Sequence, residues 1–381
     1  MTGAEVFLNP SVGKCKPLHS SKRQEDIALA SRFHRQVLPS YAPTTLIRLQ
    51  HNGLHPRFKG QVLLKAESDR YGLPAFKVLG AAYASYRTLC SLWSLDASAT
   101  SLAELRQKAA ENSELILVAA TDGNHGTAVG WFANLIGLHA RIYIPDSVES
   151  ASEAAIAAQG RHVAVHRQRG IDYDGAVRIA ASFASAAPHL RLLIQDTAWD
   201  GYVEIPQLIV DGYSTIFDEI QKQLDAESRV THVICPVGVG SLAQSMVEYY
   251  QSLDLKVRLL TVEPMTAACL YTSLQAGAST EIKTGQTVMP GLNCGTVSSL
   301  AWPLLISGIE AAVKIEDQQA LDQVVWLQTR AEIKAGPCGA APLAALSSVL
   351  RDDIKAEKLG LLDDETVNVV LLMTEGASDS M

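Results

Sequence analysis

Three short segments hold residue types that chemistry could use. Lys77 lies in Pro74-Ala75-Phe76-Lys77-Val78-Leu79-Gly80-Ala81, an amine among apolar neighbours at the start of a helix-like run. Desolvation disfavours the ammonium, so such an amine has a lowered pKa and suits imine formation. A snorkelling surface Lys is the commoner use of a single Lys on a helix, and stands as the alternative. Gly238-Val239-Gly240-Ser241-Leu242 follows an apolar run and opens another helix-like segment. Its bare backbone N–H groups suit an anion, with phosphate the natural ligand. It lacks the Lys-Ser/Thr pair of a triphosphate loop and the third glycine of a dinucleotide fingerprint, so taken alone a tight strand-to-helix turn explains it better.

The third segment, Thr121-Asp122-Gly123-Asn124-His125-Gly126, again joins an apolar run to an Ala-rich helix-like stretch. Asp122, and Asp196 at the end of Arg191-Leu192-Leu193-Ile194-Gln195-Asp196, stand at strand ends where a ligand would sit. Carboxylates there could act as bases or pair with a cationic substrate; equally, each could cap a helix or turn. Trp199 and Tyr202, close to Asp196 in sequence, could line a pocket or pack in a core. His125 reads as a residue packed or hydrogen-bonded at a helix start. His51 with His55 flank Gly53, and His162 with His166 fall on a predicted strand, where four residues span about 13 Å, too far for one metal. No metal site is expected.

These loops need elements to hold them. From about residue 115 onward, near-continuous apolar runs alternate with helix-length segments: LILVAAT, RIYIP, RHVAVH, RLLIQD, THVICPVG, RLLTVEP and VNVVLLMTE. Such runs read as parallel strands covered on both faces, and the fold class is α/β with open, wound sheets. Four of the strands precede the helix-like stretch 202–224 and three follow it, which suggests one lobe inserted into another. The first 40 residues offer little pattern and are expected to wrap the surface.

The chain has 381 residues, 48% of them hydrophobic and 19% charged, which excludes a largely disordered protein. Its formal charge of −8 leaves no basic excess to replace phosphate counterions, so no nucleic-acid partner is expected. No stretch approaches the roughly 20 apolar residues of a membrane helix, so no membrane partner is expected and the reading is a cytoplasmic protein. The cysteines at 15, 90, 235, 269, 294 and 338 form no Cys-x-x-Cys pair. Most read as buried thiols, with a Cys269–Cys294 bond left open.

Together, a buried amine, an anion cradle and a Gly-rich Asn turn are the parts that hold pyridoxal phosphate. The chain resembles a fold-type II pyridoxal-phosphate enzyme, and within that group the diaminopropionate ammonia-lyase family. The segments AFKVLGAAYA, TDGNHGTAVGWFA, QDTAWDGYVEIPQLIVDGY, GVGSLA, VEPMTAACLYTSLQAG, TVMPGLNCG and LLMTEG carry the resemblance in order from residue 75 to 376. It implies two lobes, each with an open, mostly parallel sheet flanked by helices: a cofactor-binding domain from 1–89 and 204–381, and a smaller inserted domain, 90–203. It also implies a homodimer. Lys77 would bond the cofactor, with Phe76 beside it, and Gly238, Val239, Gly240, Ser241 and Leu242 would hold its phosphate. Asn124 would meet the ring hydroxyl and Thr374 the ring nitrogen. Thr121, Asp122, Gly123 and His125 would receive the amino-acid substrate, with Trp199 and Tyr202 lining its pocket.

The expected reaction is α,β-elimination of ammonia from 2,3-diaminopropionate, with Lys77, Asp122 and Asp196 catalytic. A serine/threonine dehydratase or a β-replacing enzyme is the first rival, and a non-catalytic binding protein on the same fold the second. Pro337-Cys338 and Met289-Pro290 depart from the family pattern, where smaller or more polar residues are expected, and bear on substrate choice.

Overall fold

The computed structural model describes residues 3–14, 21–50, 54–225 and 228–377; Cys15 and His51 lie outside them. Eleven strands form two sheets among these residues. They are β1 (Glu5–Leu8), β2 (Leu46–Leu49), β3 (Gln61–Ala66), β4 (Ile116–Ala120), β5 (His139–Pro145), β6 (Val163–Gln168), β7 (Arg191–Leu193), β8 (His232–Pro236), β9 (Arg258–Pro264), β10 (Ala311–Ile315) and β11 (Asn368–Met373).

The larger sheet has the order β1-β10-β9-β8-β11-β3-β2, and the smaller β6-β5-β4-β7. The smaller sheet is parallel throughout, and in the larger one only the edge strands β1 and β2 run antiparallel. All seven strands read from the apolar runs are present. Four more were not foreseen: β1, β2, β3 and β10. β3 is interrupted by Lys65, which reads as a surface residue, yet its ammonium is fully buried 2.6 Å from Glu219 of the helix Glu204–Gln223.

The expectation that the first 40 residues wrap the surface is corrected. β1 pairs with β10 as a sheet edge, and Phe33 and His34 are wholly buried. His34 bridges Thr215 Oγ1 at 2.8 Å and Leu79 O at 2.9 Å, so the N-terminal segment is bonded into the core beneath the Lys77 helix.

That helix, Lys77–Leu92, crosses Glu204–Gln223 at very close range. A Cβ at Gly80 would lie 2.5 Å from the Tyr213 ring, and one at Gly212 2.5 Å from Leu79 O. Only glycine at both positions allows this approach, which fixes where the first turn of the Lys77 helix points.

Candidate active site

In parallel sheets, ligands collect at the carboxyl ends of strands. β8 and β11 are neighbours, so the turn 237–240 and Thr374 emerge side by side from the large sheet. β4 and β7 are likewise neighbours, so Asp122 and Asp196 emerge together from the small one.

Lys77 joins the two sheets: its Nζ lies 2.7 Å from Asp196 Oδ2. Phe76 lies against it, ring centroid 5.5 Å from Nζ, and Tyr213 packs on Phe76 at 4.8 Å. Burial penalises the ammonium, as the sequence suggested, but the Asp196 carboxylate beside it outweighs that and raises the Lys77 pKa above its usual range. The lowered pKa expected from desolvation alone is therefore corrected. Asp196 moves the opposite way. Burial pushes its carboxyl up, but Lys77 and then His125 pull it down to about 2. The cap alternative for Asp196 falls away, because its carboxylate is spent on Lys77 rather than on backbone N–H groups at a helix start.

Asp122 opens into the cleft with protein crowded around it. That environment raises its pKa, Lys77 opposes the rise and Asp196 adds to it. It does not cap the helix Asn124–Ile136, whose cap residue is Gly123. Thr121 does the local bonding instead, its Oγ1 accepting from Gly123 N at 2.9 Å and Gly126 N at 3.1 Å. His125 is buried, Nε2 bonding Ile194 O at 2.7 Å and Nδ1 lying 4.0 Å from Asp196 Oδ2 without a hydrogen-bond partner. Burial lowers its pKa and favours the neutral ring.

Trp199 and Tyr202 stack on each other at 4.4 Å, and Tyr202 bonds the backbone through its hydroxyl, to Leu193 O at 2.7 Å and from Gln195 N at 3.0 Å. Their geometry is that of a brace under the Asp196 loop, the packing alternative. The glycine turn ends in Gly240 at φ +99°, a left-handed conformation that an L side chain rarely adopts, and the helix Ser241–Ser252 starts there. Leu242 is buried in its first turn and Val239 O accepts from Ser298 N at 2.8 Å. Ser241 Oγ donates to Asp196 O at 2.8 Å, so what Ser241 can offer an anion as donor is its backbone N–H.

Three residues here were not foreseen. Glu375, after Thr374, receives Cys338 N at 3.2 Å and lies 3.4 Å from Asn124 Nδ2. Tyr173, at the start of the helix Tyr173–Ser185, and Gln195 are hydrogen-bonded at 3.0 Å beside Asp196. A Gln ending an apolar strand and a Glu inside the quoted LLMTEG segment were the available clues. Cys269 and Cys294 are free thiols, so the bond left open between them is absent.

The family model for pyridoxal-phosphate dependent enzymes matches residues 37–373. The diaminopropionate ammonia-lyase of Escherichia coli K12 is 33% identical over 96% of this chain and 92% of its own length. The chain belongs to the diaminopropionate ammonia-lyase family. The Salmonella typhimurium diaminopropionate ammonia-lyase is 34% identical over 90% of this chain and 87% of its own. The holo E. coli structure superposes with a TM-score of 0.87 at 31% identity, covering 99% of this chain and 95% of that one. An E. coli complex with D-serine gives 0.86 at the same identity, covering 99% and 95%.

As a diaminopropionate ammonia-lyase family member, the protein is a pyridoxal-phosphate-dependent ammonia-lyase. The residues fit that cofactor: a primary amine, a glycine turn at a helix N-terminus, and a side-chain amide at Asn124. The turn tolerates nothing larger, since a Cβ at Gly238 would lie 2.9 Å from Gly291 O and one at Gly240 3.0 Å from Leu305 Cδ1.

Proposed function

We propose that this enzyme eliminates ammonia from 2,3-diaminopropionate, in the D, the L or both configurations, to give pyruvate and two molecules of ammonia. The observation that carries the reading is the Lys77–Asp196 pair with Asp122 facing the same cleft, two carboxylates around a primary ammonium. The E. coli relative whose structure was solved with an aminoacrylate–pyridoxal-phosphate azomethine intermediate supports it, at a TM-score of 0.85.

Bound through Lys77, pyridoxal phosphate supplies the electron sink for bond breaking at the substrate α-carbon. The N–H groups of residues 238–242 would hold its phosphate, Asn124 would face its ring oxygen and Thr374 its ring nitrogen. The loop 121–125, at a helix N-terminus, receives the substrate carboxylate. Once the substrate amine has taken its place on the cofactor, Lys77 is left as a neutral amine, and its Nζ would remove the α-proton of one enantiomer and Asp122 that of the other, since the two protons lie on opposite faces. Asp196 keeps the 3-amino group protonated, so that it departs as neutral ammonia. The released 2-aminoacrylate takes up water to give pyruvate and the second ammonia.

Release of ammonia and pyruvate from each enantiomer of diaminopropionate, and of serine, tests the reading. Two ammonia per pyruvate from diaminopropionate is expected; turnover of serine alone, with one ammonia per pyruvate, would replace it with a dehydratase. We further propose a cytoplasmic homodimer, on the family resemblance, in which 90–203 is a domain inserted between 1–89 and 204–381.

A further inference from the structure

Gln195 has no exposed surface, yet every polar atom of its side chain is engaged. Its Oε1 accepts from Ala120 N at 3.0 Å, the last residue of β4 before the Asp122 loop. Its Nε2 donates to Tyr173 Oη at 3.0 Å and lies 3.4 Å from Asp196 Oδ1. The orientation of the amide is decided by the backbone: reversed, it would set an NH2 group against the Ala120 N–H, donor against donor. Both Nε2 hydrogens therefore point at Tyr173 and Asp196. Burial, with Asp196 and Asp122 nearby, pushes the Tyr173 pKa up, so the phenol stays neutral and accepts the hydrogen bond.

This leaves the two oxygens of Asp196 with separate tasks. Oδ1 faces Gln195, and Oδ2 holds a primary ammonium, that of Lys77, at 2.7 Å. The 3-ammonium of diaminopropionate is the same chemical group. We propose that Gln195 is a positioning residue that fixes the Asp196 carboxylate, and that through it the site selects a β-ammonium over a β-hydroxyl substrate. The selectivity half of this inference rests on the function proposed above. A carboxylate held by a neutral donor keeps its charge and its rotamer, and a charged acceptor favours an ammonium far more than a hydroxyl. Loss of the Gln195 donor should thus fall mainly on the amine substrate.

One holoenzyme variant separates this role from plain support of β4, with serine as the internal comparison. Gln195→Met deletes all three bonds and adds no charge. At pH 8, kcat/KM for diaminopropionate divided by that for serine is expected to fall about tenfold or more in Gln195→Met, the scale of a hydrogen bond to a charged group. Lost support of β4 alone would lower both substrates together and leave the ratio where it was. A ratio within twofold of wild type would overturn the selectivity role. The positioning role has a readout that needs no substrate, the carboxyl carbon-13 resonance of Asp196 at pH 8, assigned by its loss in Asp196→Asn. Asp196 is faced by Lys77, His125, Asp122, Tyr173, Tyr202, Tyr213 and Cys294, all unchanged in Gln195→Met. That resonance should move in Gln195→Met, and an unchanged resonance would overturn the positioning role. Absence of diaminopropionate turnover in wild type, with the resonance still moved, would strike the proposed function and leave the positioning role standing.

Discussion

Lys77 and Asp196 come from different sheets, yet their charged ends lie 2.7 Å apart. The amine opens a helix that follows β3 of the large sheet, and the carboxylate lies in the loop that follows β7 of the small one. One ion pair thus ties the two sheets together at the cleft.

Lys77→Ala should give a protein without the cofactor's visible absorption band, because Lys77 is the amine held where the two sheets meet, 2.7 Å from Asp196. Borohydride reduction of wild type followed by peptide mapping locates the cofactor; an adduct on any other Lys would remove the assignment and the reading built on it.

Gly240→Asp should weaken cofactor affinity by two orders of magnitude or more, roughly the cost of a like charge against the phosphate added to strain at φ +99°. Cys235→Ala is the comparison, a buried side chain on β8 just upstream, expected to lose about 1 kcal/mol of stability and little affinity. Equal cofactor binding by Gly240→Asp and wild type, measured by fluorescence titration, would place the phosphate elsewhere.

Asp122→Asn keeps shape and removes basicity. Turnover of one enantiomer should drop by about 10²-fold, the usual scale of general-base catalysis, while the other is largely spared. Equal losses would make Asp122 an organiser of the site and not a base for one face.

Asp196→Asn should erode the preference for a 3-amino over a 3-hydroxy substrate, read as the ratio of their kcat/KM values. An unchanged ratio would show that the leaving amine is recognised by other groups.

Acid should weaken the fold through two buried histidines. Burial holds His34 down at about 3 and His232 at about 4, against an ordinary 6.5. As pH falls below 6.5 the unfolded chain takes up protons that the folded chain refuses, so stability is full above that value and declines towards pH 4. Each group should contribute about 1.4 kcal/mol per pH unit in that window. Urea unfolding at pH 7, 6 and 5 measures the slope. His34→Gln should reduce it by one group's share, and an identical slope in the variant would discard the account.

What the sequence alone determined is local. The apolar runs of β4 to β9 and β11 declare themselves because parallel strands covered on both faces need little else, and the turns after β4 and β8 are legible because glycine and a following helix sit within a few residues. Lys77, Asn124 and Gly240 could be named for the same reason. Only the tertiary structure decided which partners these residues meet. β3 stayed hidden because the charge on Lys65 is matched by Glu219, 154 positions away along the chain. The Lys77 pKa rises rather than falls because Asp196, 119 positions away, is brought against it. Gln195 and Glu375 acquire their hydrogen-bond partners only where loops from separate strands converge. Apolar neighbours along the chain foretell that a residue will be buried, whereas the burial itself and the charge that opposes it come from the fold.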